Sequence, residues 1–191
     1  KEIYRILKDL TGLLQPFNDM LQDYFQTLVD FDFIHAKARL AIDMHATMPQ
    51  LVKEEQITTL INAYHPVLYL QNQQAKQATQ PMTCKLGGSD RIMVISGPNA
   101  GGKSITLKTV GLLQIMVQCG LLIPASAKSE ISIKRTILGD IGDNQSIEDG
   151  LSTYSSRLQK MKYFLENMNE HTLFLIDEFG TGSDPDMGGA M

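Results

Sequence analysis

An apolar run, Ile92-Met93-Val94-Ile95, passes directly into Ser96-Gly97-Pro98-Asn99-Ala100-Gly101-Gly102-Lys103-Ser104, and a helical pattern follows. This stretch constrains the chain more than any other. It matches G-x-x-x-x-G-K-[ST] without a gap, at Gly97, Gly102, Lys103 and Ser104, and it stands between an expected strand and an expected helix, the setting that motif requires. The glycines let the backbone curl so that successive N–H groups face inward, and the helix behind them adds the positive end of its dipole. A loop of this kind cradles phosphate. The expected nucleotide-binding residues are therefore Gly97, Pro98, Asn99, Ala100, Gly101, Gly102, Lys103, Ser104 and Ile105, with Lys103 reaching the β- and γ-phosphates and Ser104 placing its hydroxyl on Mg²⁺. The plain alternative is a glycine-rich turn between strand and helix that carries Lys-Ser by coincidence.

A second signal answers that alternative. Thr172-Leu173-Phe174-Leu175-Ile176 is an uninterrupted strand pattern that ends in Asp177-Glu178. A run apolar on both faces reads as a central parallel strand. Asp177 is expected to hold the Mg²⁺ that Ser104 also contacts, and Glu178 to polarise the attacking water. Together the loop and the acidic strand predict an ATP or GTP site. Between them lie a strand, Thr136 to Ile141, that delivers Asp140, Asp143, Asn144 and Gln145 at its carboxyl end, where open α/β sheets place ligands, and a serine-rich helix start, Gly150-Leu151-Ser152-Thr153-Tyr154-Ser155-Ser156. The order of phosphate loop, Gln-bearing loop, serine-rich helix start and Asp-Glu strand, followed by Gly182-Ser183-Asp184-Pro185, matches ATPases that close as head-to-tail dimers. In these, the helix of one subunit caps the nucleotide of the other. The plain alternative for Ser152 is a helix N-cap.

The fold predicted is α/β: a P-loop NTPase of the ABC-type ATPase class, with a mainly parallel sheet, preceded by a helical segment and truncated at its C-terminus. A helical segment over 1–52 and an incomplete ATPase domain over 53–191 are the expected divisions. Apolar residues fall at helical spacing from Ile3 to Val29, broken near Pro16, and again from Phe33 to Met44. His35 and His45 read as ordinary helix residues. Ile57 to Ile61 and Val67 to Leu70 read as strands, Gln71 to Gln80 as an exposed loop, and Ser104 to Gln118 as a helix burying Leu107, Val110, Leu113, Ile115 and Val117, with Gly111 approaching a strand closely and Gly120 as cap.

Of the 191 residues, 43% are hydrophobic, enough for a core, and the formal net charge of −4 argues against strong nucleic-acid binding by this segment itself. Cys84 and Cys119 have no C-x-x-C spacing and read as buried, reduced thiols. No run approaches a membrane span and no signal peptide is present, so a cytoplasmic location and no membrane partner are expected.

Gly97 to Ser104, Ser152-Thr153-Tyr154 and Asp177-Glu178-Phe179-Gly180-Thr181-Gly182-Ser183-Asp184-Pro185 resemble the ATPase domain of the MutS family of mismatch-repair proteins. Ile105 to Gly111, Asp140 to Ile147 and the helix Phe33 to Arg39 are similar to the branch formed by its second bacterial paralogue. The resemblance implies a homodimeric, Mg²⁺-dependent ATPase coupling nucleotide state to a clamp on mismatched or branched DNA through regions outside this chain, with a ribosome as another possible partner. It implies a γ-phosphate and water contact for Asn99, a catalytic set of Glu178, Lys103 and Asn99, the Gln loop at Gln145, a signature acting across the dimer at Ser152 and Thr153, and an interface loop at Asp184. His65-Pro66 matches a family His-Pro, and the loop around Thr79, Gln80 and Pro81 falls where the family contacts adenine.

The chain departs from the family pattern in one respect that bears on activity. The family's switch histidine lies on a strand beyond the acidic motif, and His171 precedes that motif, so weak or absent hydrolysis is expected of this segment alone. Two other readings are a transporter-cassette or chromosome-maintenance ATPase, whose Leu-Ser-Gly-Gly signature Leu151-Ser152-Thr153-Tyr154 does not match, and a nucleotide-gated scaffold for DNA or the ribosome with incidental turnover.

Overall fold

The computed structural model describes residues 1–53, 56–98, 101–142 and 150–177, with the side chains of 150–157 outside that description. The chain divides into two compact units, Lys1–Ile42 and Asp43–Met191.

The first unit is helical. Helix α1 (Glu2–Leu14) ends in one 3-10 turn, Gln15–Phe17, and α2 (Asn18–Asp43) follows. Pro16 causes the break, because its ring occupies the position an i−4 carbonyl needs and it has no N–H to donate. The separate helix expected from Phe33 does not exist: α2 runs through that point, since no Gly or Pro lies between Asn18 and Asp43 to stop it. His45 lies past the end of α2 with φ +47°, so it is a turn residue rather than a helical one.

In the second unit the elements run β1 (Gln50–Val52), β2 (Thr58–Ala63), α3 (Pro66–Gln74), β3 (Met82–Leu86), α4 (Lys103–Gln118), β4 (Glu130–Ser132), β5 (Thr136–Asp140), α5 (Gly150–Asn167) and β6 (Thr172–Ile176). They form a four-stranded sheet in the order β1-β4-β2-β3 and a two-stranded sheet of β5 and β6. The first sheet is mixed: β1 and β4 are parallel, whereas β2 is antiparallel to both β4 and β3. A wholly parallel arrangement holds only for β5 and β6, paired from Thr136 opposite Thr172 to Asp140 opposite Ile176. The fold is thus α/β, with small sheets.

Val67 to Leu70 is helical, not extended. Pro66 occupies the first turn of α3, where its missing N–H costs nothing, and the His65 side chain caps the helix by accepting from the Leu68 N–H at 3.4 Å. Four apolar residues cannot by themselves distinguish strand from helix; the preceding His-Pro decides it. The same helix absorbs the first part of the expected Gln-rich loop.

Ile92 to Ile95 carries no strand ladder, and Ile92 and Val94 are 83% and 84% exposed. A strand exists by virtue of its neighbour's hydrogen bonds, and among the described residues none is laddered to this run. Further along, α4 buries Thr109, Leu113, Met116 and Val117, while Ile115 is exposed on the opposite face, against expectation. Gly120 ends α4 with φ +69°, donating to Val117 O at 2.9 Å while the Leu121 N–H reaches Met116 O at 2.9 Å. Cys84 is half-buried, and burial pushes its thiol pKa up, whereas Cys119 is exposed, so the expectation of two buried thiols fails for one.

The two flanking helices fix the geometry of β6. A Cβ at Gly111 of α4 would stand 2.6 Å from Leu175 Cδ1, so this glycine is what allows the close approach of helix and strand. On α5, Phe164 meets Phe174 with ring centroids 5.9 Å apart. Leu175 and Phe174 are consecutive and point to opposite faces, so α4 and α5 cover opposite sides of the two-stranded sheet. At the far end of α4, Gln114 Nε2 donates to Ser132 O at 2.9 Å and Gln118 Oε1 accepts the Lys134 N–H at 2.9 Å, just before β5 begins. Helix α4 therefore runs antiparallel to β5 and β6, and its first residues, Lys103 and Ser104, lie toward the carboxyl ends of those strands.

A buried polar network holds the opposite edge. Lys134, 7% exposed, donates from Nζ to Ser132 Oγ at 2.7 Å and Gln56 Oε1 at 3.0 Å, and Gln56 Nε2 lies 2.7 Å from His171 Nδ1. Burial lowers the pKa of the Lys134 ammonium. The network ties the entries of β2, β5 and β6 together. It was not legible in sequence, where Gln56, Gln114, Lys134 and His171 are ordinary polar residues.

Candidate nucleotide site

Two glycines of the segment before α4 have positive φ. Gly97 and Gly102 adopt φ +150° and +79°, conformations that favour glycine, and the Gly101 N–H closes a turn onto Pro98 O at 2.8 Å. Gly102 is the N-cap of α4 and, having no side chain, leaves the helix without a side-chain cap. The first turn of an α-helix has N–H groups with no intrahelical acceptor, and an anion is their natural partner. Lys103 Nζ arches back over the loop to donate to Gly97 O at 2.6 Å. That places an ammonium beside the positive end of a helix that has no side-chain cap. A phosphate chain fits this donor set, which consists of one cation, Lys103, and N–H donors.

At the end of β6 the Asp177 N–H donates to Asp140 O at 2.9 Å, the hydrogen bond that completes the last pair of the parallel ladder, Asp140 opposite Ile176. Alternation along the strand puts Asp177 on the same face as Leu173 and Leu175, the face that α4 covers. Lys103 and Ser104 open α4, and Asp177 follows directly after β6. Among the described residues no group of three His, Cys, Asp or Glu side chains stands ready for a metal ion. Mg²⁺ needs no such cage, being typically held by one or two protein groups together with substrate phosphates. Ser104 and Asp177 suit that mode.

Asp140 faces the other way. It is paired with Ile176 and shares the side covered by α5, where Lys160 Nζ meets its Oδ1 at 2.9 Å. The Asp140 side chain is 10% exposed, and the Lys160 partner had no counterpart in the sequence reading. Ser152 and Thr153 lie within the first turn of α5 by backbone position. Asn99, Ala100, Asp143, Asn144, Gln145, Glu178 and Asp184 lie outside the described residues. No described helix is long and apolar enough to cross a membrane.

His65 sits near the same helix. Burial and, secondarily, the charge of Lys108 on α4 lower its pKa below 6.5. Its Nδ1 caps α3 only when unprotonated, and Asn72 of α3 in turn donates to Thr79 Oγ1 at 3.1 Å, holding the loop expected to meet adenine. Because the folded pKa is depressed, the stability contributed by His65 is present above about pH 6.5 and is lost as pH falls through the lower folded value. Thermal melts of the wild type are expected to fall between pH 7.5 and 5 more steeply than those of His65→Asn, whose amide caps at either pH. Identical slopes would remove His65 from the account.

Four similarities accompany this geometry. Residues 93–191 match the family model described as MutS domain V. Over 191 residues the chain is 43% identical to a protein named Endonuclease MutS2 from Lactobacillus acidophilus and 44% identical to one from Lactiplantibacillus plantarum, and over 190 residues it is 42% identical to one from Clostridium perfringens. Each match takes in 100% of this chain but 23% of the relative.

Proposed function

The chain belongs to the MutS family, and from that premise we propose that it carries the nucleotide site of a DNA-acting ATPase whose remaining parts lie in a longer protein. The observation that supports this best is the bond of the Lys103 ammonium to Gly97 O at the start of α4, a helix with no side-chain cap, with Asp177 directly following β6. In this reading the fold is a P-loop NTPase with a mainly parallel sheet once complete, and the helical segment 1–52 is a lever attached to the ATPase domain 53–191.

The groups divide the work by charge. The loop N–H groups, from Gly97 to Ile105, and Lys103 bind the β- and γ-phosphates and orient the γ-phosphorus. Ser104 and Asp177 hold Mg²⁺, which, when bound, supplies positive charge against the phosphate oxygens. Asn99 orients the attacking water and Glu178 accepts its proton as the water oxygen bonds to the γ-phosphorus and the bond to the ADP oxygen breaks. Gln145 senses the γ-phosphate, and Ser152, Thr153 and Asp184 act across a homodimer whose two composite sites report nucleotide state to DNA. A ribosomal target would use the same cycle. The relatives are named endonucleases; these residues bind and hydrolyse nucleotide, and cutting of DNA is assigned to segments beyond the 23% shared.

Comparison of Glu178→Gln with Lys103→Ala in the full-length protein tests the reading. Glu178→Gln is expected to bind Mg-ATP within about twofold of wild type while losing at least about 100-fold in turnover, the usual range for removing a catalytic base. A Glu178→Gln protein that supports every DNA-linked function would favour the nucleotide-gated scaffold and remove the enzyme from the account.

A further inference from the structure

Helix α5 makes two contacts with β5 and β6 that fix both its face and its direction. Lys160 reaches Asp140 at the carboxyl end of β5, and Phe164, four residues later on the same helix face, reaches Phe174, two residues before the end of the facing register. Moving toward the C-terminus of α5 therefore moves back toward the starts of the strands. The helix is antiparallel to them. Ser152 lies eight residues before Lys160, about 12 Å farther along the helix axis, beyond the carboxyl edge of the sheet.

Asp140 is held from two sides. Its carbonyl accepts the Asp177 N–H at 2.9 Å, and its nearly buried carboxylate takes the Lys160 ammonium at 2.9 Å. One residue thus joins the backbone of the metal-binding strand to the side chain of the helix that carries the serine-rich start. The Phe164–Phe174 contact alone would let α5 slide or roll, because ring contacts tolerate a range of offsets. The ion pair, between Asp140 at 10% and Lys160 at 45% exposure, restricts that freedom.

We propose that Lys160 and Asp140 are positioning residues of the composite nucleotide site, fixing the slide and rotation of α5 on the sheet and therefore where Ser152 is presented to the nucleotide of the other subunit. The inference rests on the proposed ATPase reading and adds to it a residue, Lys160, that touches no part of the substrate. The phosphate loop belongs to α4 on the opposite face, so disturbing the pair leaves ground-state binding in place and affects the step that needs Ser152.

Steady-state turnover and equilibrium Mg-ATP binding by the full-length protein test this. Lys160→Met and Asp140→Asn are each expected to lower kcat at least about tenfold with KM and affinity within about threefold, as misplacement of a remote group does. The double variant is expected to be no worse than either single one, and Lys160→Arg to retain the wild-type rate within about twofold. Wild-type rates in both single variants would overturn the inference. So would additive losses, or losses of rate and binding together that Lys160→Arg does not avoid, since those describe a general structural role. A wild type that neither binds nor hydrolyses ATP would overturn the ATPase reading itself, and the inference with it.

Discussion

Replacing Lys103 by Ala is expected to weaken Mg-ATP binding by about 100-fold, equivalent to roughly 3 kcal/mol, while leaving the far-ultraviolet circular dichroism unchanged. The magnitude follows from what the ammonium contributes: charge-assisted hydrogen bonds to phosphate oxygens at a helix N-terminus that has no side-chain cap. The fold is spared because the Nζ bond to Gly97 O belongs to an exposed loop, away from the packed face of α4. Isothermal titration of wild type and variant with Mg-ATP, at matched helicity, measures it. Equal affinities would mean that nucleotide, if bound, does not use this loop.

The largest loss of stability is expected from Gly87→Ala. Gly87 ends β3 with φ +118°, and a Cβ there would lie 2.2 Å from Gln56 O and 2.6 Å from Ile57 Cα. Those are backbone atoms leading into β2 and cannot rotate away as a side-chain terminus could. The strained dihedral and the overlap together cost about 3 kcal/mol or more. For a domain of this size that lowers Tm by roughly 6–12 °C. Gly88→Ala separates the two causes, because Gly88 also has a positive φ, +67°, yet nothing stands within 4 Å of its Cβ position. A loss near that of Gly87→Ala would assign the effect to dihedral strain, whereas a loss of about 1 kcal/mol leaves the overlap as the main term. A Gly87→Ala protein melting within about 2 °C of wild type would show that β2 and β3 can separate there without cost.

Where a pattern was long and carried its own stop signals, it could be read from the residues. Helix α4 begins one residue before the expected Ser104 and ends at the expected Gln118, bounded by the loop glycines and Gly120. The α1 break at Pro16, β5, β6 and the close approach at Gly111 follow from local chemistry in the same way. Short apolar runs were not readable, because their state is set by what lies beside them. Val67 to Leu70 became a helix through His65 and Pro66, and Ile92 to Ile95 gained no ladder among the described strands. Of the candidate site, the loop and Asp177 were visible as motifs, since backbone curl and strand alternation are local. Lys160 was not, because its partner lies 20 residues away and only the antiparallel lie of α5 brings the two together.

In the proposed reading, nucleotide phosphates bind at the start of α4, with Asp177 after β6 holding their Mg²⁺. Amide chemical shifts of the labelled chain, followed by nuclear magnetic resonance as Mg-ATP is added, test it most directly. The largest shifts are predicted at Gly101, Gly102, Lys103 and Ser104, with Asp177 moving only when Mg²⁺ accompanies the nucleotide. Saturable shifts confined to other segments, with these residues still, would contradict the claim.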